Sequence, residues 1–190
     1  MPKKVHTKMH FGKWHDIEVE DDVTAYLRYA NGATGVFITT TGEAPGVNRL
    51  EISGTKGKLL CDGETLKWYK NSVDSQEFSK GATGGFDVMK CETIDVETDG
   101  KNPQHNGVLN AFAANILRGE PLVANGEEGI RGLSLSNAMH LSSFLGHPVE
   151  LPVDEDVYYE ELMKRVATSR RKDNVKAVVA DTSGSYAGAK

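Results

Sequence analysis

The ten residues KWHDIEVEDD, at positions 13–22, gather the side chains of this chain that are best suited to chemistry. They combine Trp14 and His15 with a single basic residue, Lys13, and with five carboxylates. The carboxylates belong to Asp16, Glu18, Glu20, Asp21 and Asp22. Carboxylates beside an imidazole could ligate a metal ion, form an acid/base pair, or simply mark the polar edge of a strand.

The order of residue types within this stretch favours the strand edge. Ile17 and Val19 would point to one side of an extended chain, and the acidic residues between them to the other. Carboxylates that follow one face at intervals of about 7 Å repel each other and do not converge on an ion. We therefore predict a solvated strand edge and no metal site, with a ligand-cleft lining formed by Trp14 and His15 as the alternative.

Histidines outside this stretch offer one further candidate. The six histidines form no H-x-x-x-H pair on a predicted helix, and none has zinc-finger spacing from a cysteine. His105 falls in the first turn of a predicted helix, where free backbone amides could meet an anionic or hydroxylated ligand. A capping role or plain surface exposure is the other interpretation of His105.

Composition narrows the class of protein. The chain has 190 residues, enough for one domain with a proper core, and is 38% hydrophobic and 26% charged. A net charge of −5 argues against general nucleic-acid binding, and no apolar run is long enough for a membrane span or a signal peptide. Cys61 and Cys91 form no C-x-x-C pair and are expected to be free thiols in a reducing cytoplasm. Neither G-x-G-x-x-G nor G-x-x-x-x-G-K-[ST] occurs, so the chain alone is not expected to bind a nucleotide.

Asn31-Gly32 marks the clearest turn, because this dipeptide suits both positions of a two-residue type I′ hairpin. The turn lies between DVTAYLRYA and ATGVFITTT, and a two-residue loop would fix their register with Tyr29 opposite Thr34. The same register places Tyr26 opposite Phe37, on the side of the hairpin away from the core. An aromatic pair there predicts a subunit contact, an oligomer interface through Tyr26 and Phe37, or a domain contact, with ordinary surface scatter as the alternative.

The remaining patterns predict an α+β fold class. Short strands are expected in VHTKMHF, NRLEIS, GKLLCD, TLKWYK, SQEFSK and VMKCETIDVE, mostly antiparallel because few residues separate them. Helices are expected over 102–119, over about 126–145, and from 154 onward. The architecture would be an open-faced, mixed and largely antiparallel sheet with helices on one face. Residues 1–170 would form this domain and 171–190 a loose tail.

Three segments together resemble a known family. They are VEDDVTAYLRYANGATGVFITTT, NRLEISGTKGKL and HNGVLNAFAANILRGEPLVANGEEGIRGLSLSNAMHLSSFLGHPVELP. Their order and spacing are similar to those of the C-terminal domain of the glucose-fructose oxidoreductase / inositol dehydrogenase / MocA (Gfo/Idh/MocA) oxidoreductase family. The likeness runs from about Val5 to Arg171, and the helix ending in ILRGEPL, followed by a Gly-rich helix start, carries most of it.

This resemblance implies a parent enzyme of two parts. An N-terminal Rossmann domain would bind NAD or NADP, and the C-terminal open-faced sheet would shape the substrate site and mediate oligomerisation. Such enzymes transfer a hydride between the nicotinamide and a carbon of a sugar, cyclitol or similar alcohol. In a complete parent, Trp14 would stack on a sugar-like ring, and His15 and His105 would hydrogen-bond its hydroxyls.

The catalytic motifs of the family are missing from this sequence. The family's lysine lies in E-K-P and its Asp and His or Tyr in D-x-x-x-[HY] before the sheet, but no Glu-Lys-Pro and no D-x-x-x-H occurs here. Asp154 and Tyr158 match D-x-x-x-Y literally, but after the sheet, which we attribute to chance. We therefore expect no catalytic and no cofactor-binding residue in this chain. It would be a truncated piece of a longer protein, the product of a split gene, or the result of a start codon assigned too late.

Three hypotheses about function follow. The favoured one is the substrate-binding and oligomerisation domain of an NAD(P)-dependent oxidoreductase, inactive on its own and forming a homo-oligomer through the open sheet face. The alternative is a stand-alone, non-catalytic oligomerisation or binding module. A metal-dependent enzyme built on the acidic stretch is the weakest of the three.

Overall fold

The computed structural model describes residues 1–63, 65–101 and 103–171. The strands are β1 (Lys4–Phe11), β2 (Glu20–Arg28), β3 (Thr34–Thr40), β4 (Leu50–Gly54), β5 (Gly57–Cys61), β6 (Leu66–Asn71), β7 (Cys91–Asp95) and β8 (Val149–Glu150). The helices are α1 (Ser75–Gly81), α2 (Gln104–Arg118), α3 (Gly129–Leu145) and α4 (Glu155–Val166), with a 3₁₀ turn at Gly126–Glu128. These elements fall into two units. Unit 1 contains residues 1–42 and 127 onward, and unit 2 contains residues 43–126.

Unit 1 is a four-stranded antiparallel sheet, in the order β3-β2-β1-β8, with α3 packed on one face. In β1, residues 5, 7 and 9 are buried and residues 6, 8 and 10 are exposed, as their alternating polarity predicts. The core cluster on the α3 side comprises Val5, Ala25, Leu27 and Ala138. Partly buried side chains packed around it come from α3 and from the segment after β8.

Two serines of α3 complete the edge of β1. Strand β8 has two residues and pairs with the first two residues of β1, so within the described part of the chain the rest of that edge has no neighbouring strand. The hydroxyl of Ser142 accepts the N–H of Thr7 at 3.0 Å, and the hydroxyl of Ser143 accepts the N–H of Met9 at 3.2 Å. Ser142 in turn donates to the carbonyl of His147 at 2.9 Å. Helix α3 is therefore joined to the sheet by hydrogen bonds to backbone groups that would otherwise be buried without a partner.

The predicted register of the β2–β3 hairpin is wrong by one residue. Tyr29 pairs through its N–H with the carbonyl of Ala33 at 2.9 Å, and the N–H of Gly32 donates to the carbonyl of Tyr29 at 3.1 Å. The loop thus has three residues and ends with Gly32 in the left-handed region, at φ 87°. An Asn-Gly pair suits this loop as well as the two-residue turn, since either one needs a residue with positive φ.

The shifted register separates the two aromatic residues of the predicted interface. Phe37 lies opposite Ala25, on the face that α3 covers, whereas Tyr26 lies opposite Val36 on the other face. The expected Tyr26–Phe37 pair is therefore wrong, because a slip of one residue moves a side chain to the opposite face. The open face instead presents Tyr26, Val36 and Ile38, which are 45%, 65% and 68% exposed.

Unit 2 is built on a second antiparallel sheet, in the order β4-β5-β6-β7. The segment SQEFSK, predicted as a strand, is wrong: it forms most of helix α1. Asp74 caps this helix by accepting the N–H of Gln76 at 2.9 Å, and a carboxylate at this position favours a helix start. The short alternation in SQEFSK did not reveal the cap.

The predicted helices of the C-terminal half are confirmed, with one difference in burial. Helices α2 and α3 each end at a glycine in the left-handed conformation, Gly119 and Gly146, and α4 follows Asp154, which accepts two N–H groups of the first turn. The apolar side chains along α2, which a helix of a packed domain would usually bury, are more than half exposed: Val108, Leu109, Phe112, Ile116 and Leu117. Asn102, the first residue of the predicted helix 102–119, and residues 172–190, most of the predicted tail, lie outside the described residues.

The α+β fold class is confirmed. The expected single sheet is instead two four-stranded sheets, and every strand pair is antiparallel among the residues that the structure describes. No helix in those same ranges has the length and apolarity that crossing a membrane would require.

Replacing Gly32 by alanine should destabilise unit 1 through the backbone alone. A methyl group at this position meets no atom within 4 Å, so the effect comes from the left-handed conformation. We expect a loss of about 1–2 kcal/mol in the free energy of unfolding, measured by urea denaturation. Gly32→Asn should cost less, because asparagine tolerates this conformation. An equal loss in both variants would contradict the three-residue loop.

Candidate functional site

A β-bulge organises the acidic stretch. His10 pairs with Asp22 and Phe11 pairs with Glu20, so Asp21 is an extra residue in β2. A bulge of this kind turns successive side chains away from simple alternation. As a result the three consecutive carboxylates Glu20, Asp21 and Asp22 contact three different sets of partners.

Asp21 holds the loop between β1 and β2, residues 12–19, which we call the acidic loop. Its carboxylate accepts the backbone N–H groups of Lys13, Trp14 and His15 at 3.0, 2.6 and 3.0 Å. Desolvation alone would raise the pKa of Asp21, which is 3% exposed, but the three N–H groups together lower that pKa below its ordinary value. Asp21 is thus an ionised anchor of the loop, with its acceptor oxygens occupied.

Asp22 anchors the same loop from the other side of β2. It accepts hydrogen bonds from the Lys13 ammonium and, at 3.2 Å, from the indole N–H of Trp14, and it lies 3.4 Å from Nδ1 of His10. The hydrogen bond from Lys13 is the main reason that the pKa of Asp22 is below its ordinary value. The Lys13 ammonium also lies 4.7 Å from the centre of the Trp14 ring. Both carboxylates therefore fix the position of Trp14.

Glu20, the third carboxylate, pairs with His140 of α3. The Oε2 of Glu20 lies 3.1 Å from Nε2 of His140, and Nδ1 of His140 lies 2.9 Å from the carbonyl oxygen of Ser136. Because a carbonyl oxygen can only accept, we assign a proton to Nδ1. The contact between Glu20 and Nε2 of His140 is an ion pair only when the imidazole carries both of its protons. Both side chains line the walls of cavities in unit 1.

Two cavities of unit 1 share the Glu20–His140 pair. One, of about 550 Å³, has an apolar side formed by Phe11, Ile17, Val19, Phe144 and Leu162. The other, of about 270 Å³, lies between α3 and the ends of β2 and β3 and includes Phe37. The larger volume is within the range of small-molecule sites, which usually combine apolar walls with a few polar groups. We call the larger cavity the His140 cleft.

The far side of the His140 cleft is held by charged groups of α4 that are already paired. The guanidinium carbon of Arg165 lies 3.6 Å from the centre of the Phe144 ring, and the same guanidinium binds Glu161 at 2.9 Å. Lys164, followed by Arg165, holds the pKa of Glu161 below its ordinary value. Glu18 of the acidic loop accepts the backbone N–H of Arg170 at 3.0 Å. The loop is thereby attached to the residues after α4 as well as to β2.

The structure corrects the predicted strand edge. Residues 12–19 form a loop, and Ile17 and Val19, expected to point inward, are 37% and 58% exposed. The alternation of KWHDIEVEDD was misleading because the N–H groups of residues 13–15 bind Asp21 instead of a neighbouring strand. Among residues 1–63, 65–101 and 103–171, no group of three His, Cys, Asp or Glu side chains is placed to hold a metal ion.

The predicted substrate-binding residues fall in two units. Trp14 and His15 lie together in the acidic loop, where Trp14 is 50% exposed and His15 is exposed. The Trp14 ring packs so closely on Gly42 that a Cβ there would come within 2.3 Å of it. His105 lies in the first turn of α2, in unit 2. Sequence reasoning did not select His140, because the nearest predicted site residue, His105, is 35 positions away in the chain. Its local signal is Ser136, one helical turn before it.

Comparisons with known proteins agree with this fold. Residues 1–60 match the model of the GFO/IDH/MocA C-terminal domain family. The resemblance to this family is confirmed over residues 1–60. Comparison with curated proteins finds no match.

Solved structures of oxidoreductases share the fold. An aldose-aldose oxidoreductase from Caulobacter crescentus, complexed with glycerol, has a TM-score of 0.58 at 19% identity over 79% of this chain and 41% of its own. The WlbA dehydrogenase from Chromobacterium violaceum, in complex with NADH and UDP-GlcNAcA, has a TM-score of 0.58 at 24% identity over 80% of this chain and 41% of its own. A levoglucosan dehydrogenase, in complex with NADH and levoglucosan, has a TM-score of 0.60 at 16% identity over 80% and 46%. The chain thus spans less than half of the length of these structures.

The stabilising effect of Asp21 should disappear in acid. Its folded-state pKa is lowered, so its ionised form stabilises unit 1 above the unfolded pKa, and that contribution is lost as the pH falls through the folded value. Asp21→Asn should lower the thermal midpoint at pH 7, and the difference from the wild type should shrink as the pH drops below about 4. Circular dichroism melts from pH 7 to pH 3 measure both quantities.

Asp95→Asn is the matched control. The Asp95 side chain is 86% exposed, and its ion pair with Lys67 is long, at 4.0 Å. It should change the midpoint little at either pH. A deficit of Asp21→Asn that stays constant down to pH 3 would show that the charge of Asp21 is not what holds the acidic loop.

Proposed function

We propose that this chain is the substrate-binding and oligomerisation domain of an NAD(P)-dependent oxidoreductase that acts on a sugar, cyclitol or similar alcohol. The match of residues 1–60 to the C-terminal domain of the Gfo/Idh/MocA family carries the proposal. The shared fold with oxidoreductases supports it. In this proposal the chain alone does not transfer a hydride, because the dinucleotide and the general base belong to another domain.

The helices of this chain do not fit a dinucleotide. A pyrophosphate is bound by the free N–H groups and the positive end of a helix that follows a Gly-rich turn. Helix α3 follows such a turn, but Glu127 and Glu128 immediately precede it, and their charges would repel a pyrophosphate. Helices α1 and α4 also carry acidic residues in their first turns. Helices α1, α3 and α4 therefore lack the electrostatics of a dinucleotide site.

The acidic loop is the chain's proposed contribution to substrate binding. Trp14 presents a half-exposed ring whose position is fixed by Asp21, Asp22 and Gly42, so little ordering is needed when a ligand stacks on it. His15 is adjacent and exposed, as a donor or acceptor for a hydroxyl group would have to be. His105 of unit 2 remains a predicted hydrogen-bonding partner of the same substrate.

The open face of the unit 1 sheet is the proposed oligomer interface. Tyr26, Val36 and Ile38 form an apolar group on the face of the sheet opposite α3, and none of the described helices of unit 1 packs there. A contiguous apolar patch on a sheet is typical of a subunit contact. Phe37, the other residue of the predicted interface, lies on the opposite face, so we assign the contact to Tyr26 with Val36 and Ile38.

Tyr26→Asp should shift a homo-oligomer toward the monomer. A buried carboxylate with no partner opposes association, so the dissociation constant should rise by about tenfold or more in sedimentation equilibrium. Val123→Asp adds the same charge at a fully exposed site of unit 2 and should leave association unchanged. A wild-type chain that stays monomeric at high concentration would refute the proposed interface.

NADH titration tests the cofactor part of the proposal. The purified chain should show no saturable change in nucleotide fluorescence up to about 1 mM, the upper end of common KM values. Levoglucosan dehydrogenase, which was solved with NADH, is the positive control under the same conditions. Saturable binding to the 190-residue chain would mean that it contains a cofactor site.

The second candidate is a stand-alone, non-catalytic oligomerisation or binding module. Two observations support this module as much as they support the oxidoreductase domain. They are the exposed face that contains Tyr26, Val36 and Ile38, and the lack of an E-K-P motif in this sequence. The reading frame upstream of Met1 separates the two functions. A frame encoding G-x-G-x-x-G, E-K-P and D-x-x-x-H supports the oxidoreductase domain, and its absence supports the module. A cytoplasmic location belongs to both proposals and is supported by the free cysteines Cys61 and Cys91.

A further inference from the structure

The His140 cleft is a concave site that the proposed function leaves unused. Its walls come from the acidic loop and the end of β1, from α3, and from α4, so several elements of unit 1 enclose it. The rings of Phe11 and Phe144 meet there with their centres 6.0 Å apart. Trp14 and His15, the proposed substrate contacts, do not belong to its lining. An occupant of this cleft would therefore be a different ligand from the one that stacks on Trp14.

Contacts within unit 1 hold the walls of the cleft in position. Glu18 of the acidic loop accepts hydrogen bonds from the hydroxyl of Ser169 and the N–H of Arg170, which follow α4. The guanidinium of Arg165 packs on the ring of Phe144 and so joins α4 to α3. A cavity with ordered walls loses little conformational entropy when a ligand enters it.

The charges in the cleft favour a cation. Four titratable side chains line it, those of Glu18, Glu20, His140 and Arg165. Arg165 is bound to Glu161, and Glu18 is held by the residues after α4. In the part of the chain that the structure describes, the Glu20 carboxylate contacts His140 alone, and its other oxygen has no partner. Glu20 is thus the negative charge that a ligand could match.

Glu20 and His140 also lack a hydrogen-bond donor. Nδ1 of His140 lies 2.9 Å from the carbonyl oxygen of Ser136 and carries a proton. In the neutral imidazole Nε2 is then an acceptor, and it lies 3.1 Å from Oε2 of Glu20, which is an acceptor too. An ammonium group offers three N–H donors and a positive charge, so it can satisfy both atoms.

We propose that the His140 cleft binds a primary amine with an aromatic or branched apolar body. The ammonium group donates to Glu20 and to Nε2 of His140, and the apolar body lies against Phe11, Ile17 and Phe144. An anion is repelled by Glu20, and a sugar would lose the hydrogen bonds of its hydroxyls to water against these apolar walls. This inference does not depend on the proposed oxidoreductase function.

Three probes that differ in charge test the proposal. They are 2-phenylethylamine, 2-phenylethanol and 3-phenylpropionate, added to the 190-residue chain at pH 8, where an imidazole is ordinarily neutral and an alkylamine is protonated. The amine should shift the backbone amide resonances of Val19, Phe144 and Leu162 in NMR spectra, with a dissociation constant of about 1 mM. The alcohol should bind about tenfold more weakly, because it lacks the charge-assisted hydrogen bonds, and the anion should not bind.

Two variants locate the amine. Glu20→Gln should weaken amine binding about tenfold and leave the alcohol unaffected. Glu150→Gln is the matched control, since it removes the same charge from a side chain of unit 1 that is 66% exposed and paired with Lys4. Val19→Lys places an ammonium at a wall position that is 58% exposed, so it should compete with the amine in a protein that still folds.

The proposal would be overturned by an amine that gives no saturable shift up to about 10 mM, tenfold above the expected constant. Equal affinity for the anion and the amine would show that Glu20 does not select the ligand. Unchanged amine binding by Glu20→Gln, in a protein whose circular dichroism shows it folded, would also refute it. Shifts confined to the amides around Trp14 would assign the amine to the proposed substrate site and not to the cleft.

Discussion

The carboxylate of Asp21 accepts hydrogen bonds from three consecutive backbone N–H groups. These bonds fix the acidic loop and, with it, the position of Trp14 and His15. The bulge at this residue turns Asp21 into the loop and leaves Glu20 to reach His140 and Asp22 to reach Lys13. A regular strand would have placed Glu20 and Asp22 on the same face. One extra residue in β2 therefore separates a structural carboxylate from one that lines the His140 cleft.

The patterns that were local and periodic predicted the structure well. The alternation of buried and exposed residues in β1 depends on neighbouring residues, and so do the glycines that end α2 and α3. Both features could therefore be predicted from the sequence. The register of the β2–β3 hairpin could not be predicted in this way. Asn-Gly suits loops of two and of three residues, and the twist and pairing of the whole sheet select between the two loops. That single ambiguity moved Phe37 to the opposite face of the sheet.

The acidic loop shows why the candidate site was only partly predictable. Its composition directed attention to Trp14 and His15, which the structure does place side by side, but its alternation predicted a strand that does not exist. The deciding contacts join residues that are far apart in the chain, such as Glu20 with His140 and Glu18 with the N–H of Arg170. No local pattern encodes these contacts, because they exist only after α3 and α4 have packed beside the loop.

The two units differ in how far each can be stable by itself, and this difference bears on association. Unit 1 joins its sheet to α3 through a buried cluster and through Ser142, so its remaining apolar face is available for a partner without loss of its own core. Unit 2 exposes both a sheet face and a helix stripe. Exposed apolar area favours any contact that removes it from water, so the exposed side chains of unit 2 favour association without selecting one partner. Specific association is therefore easier to build on the Tyr26 face than on the sheet of unit 2.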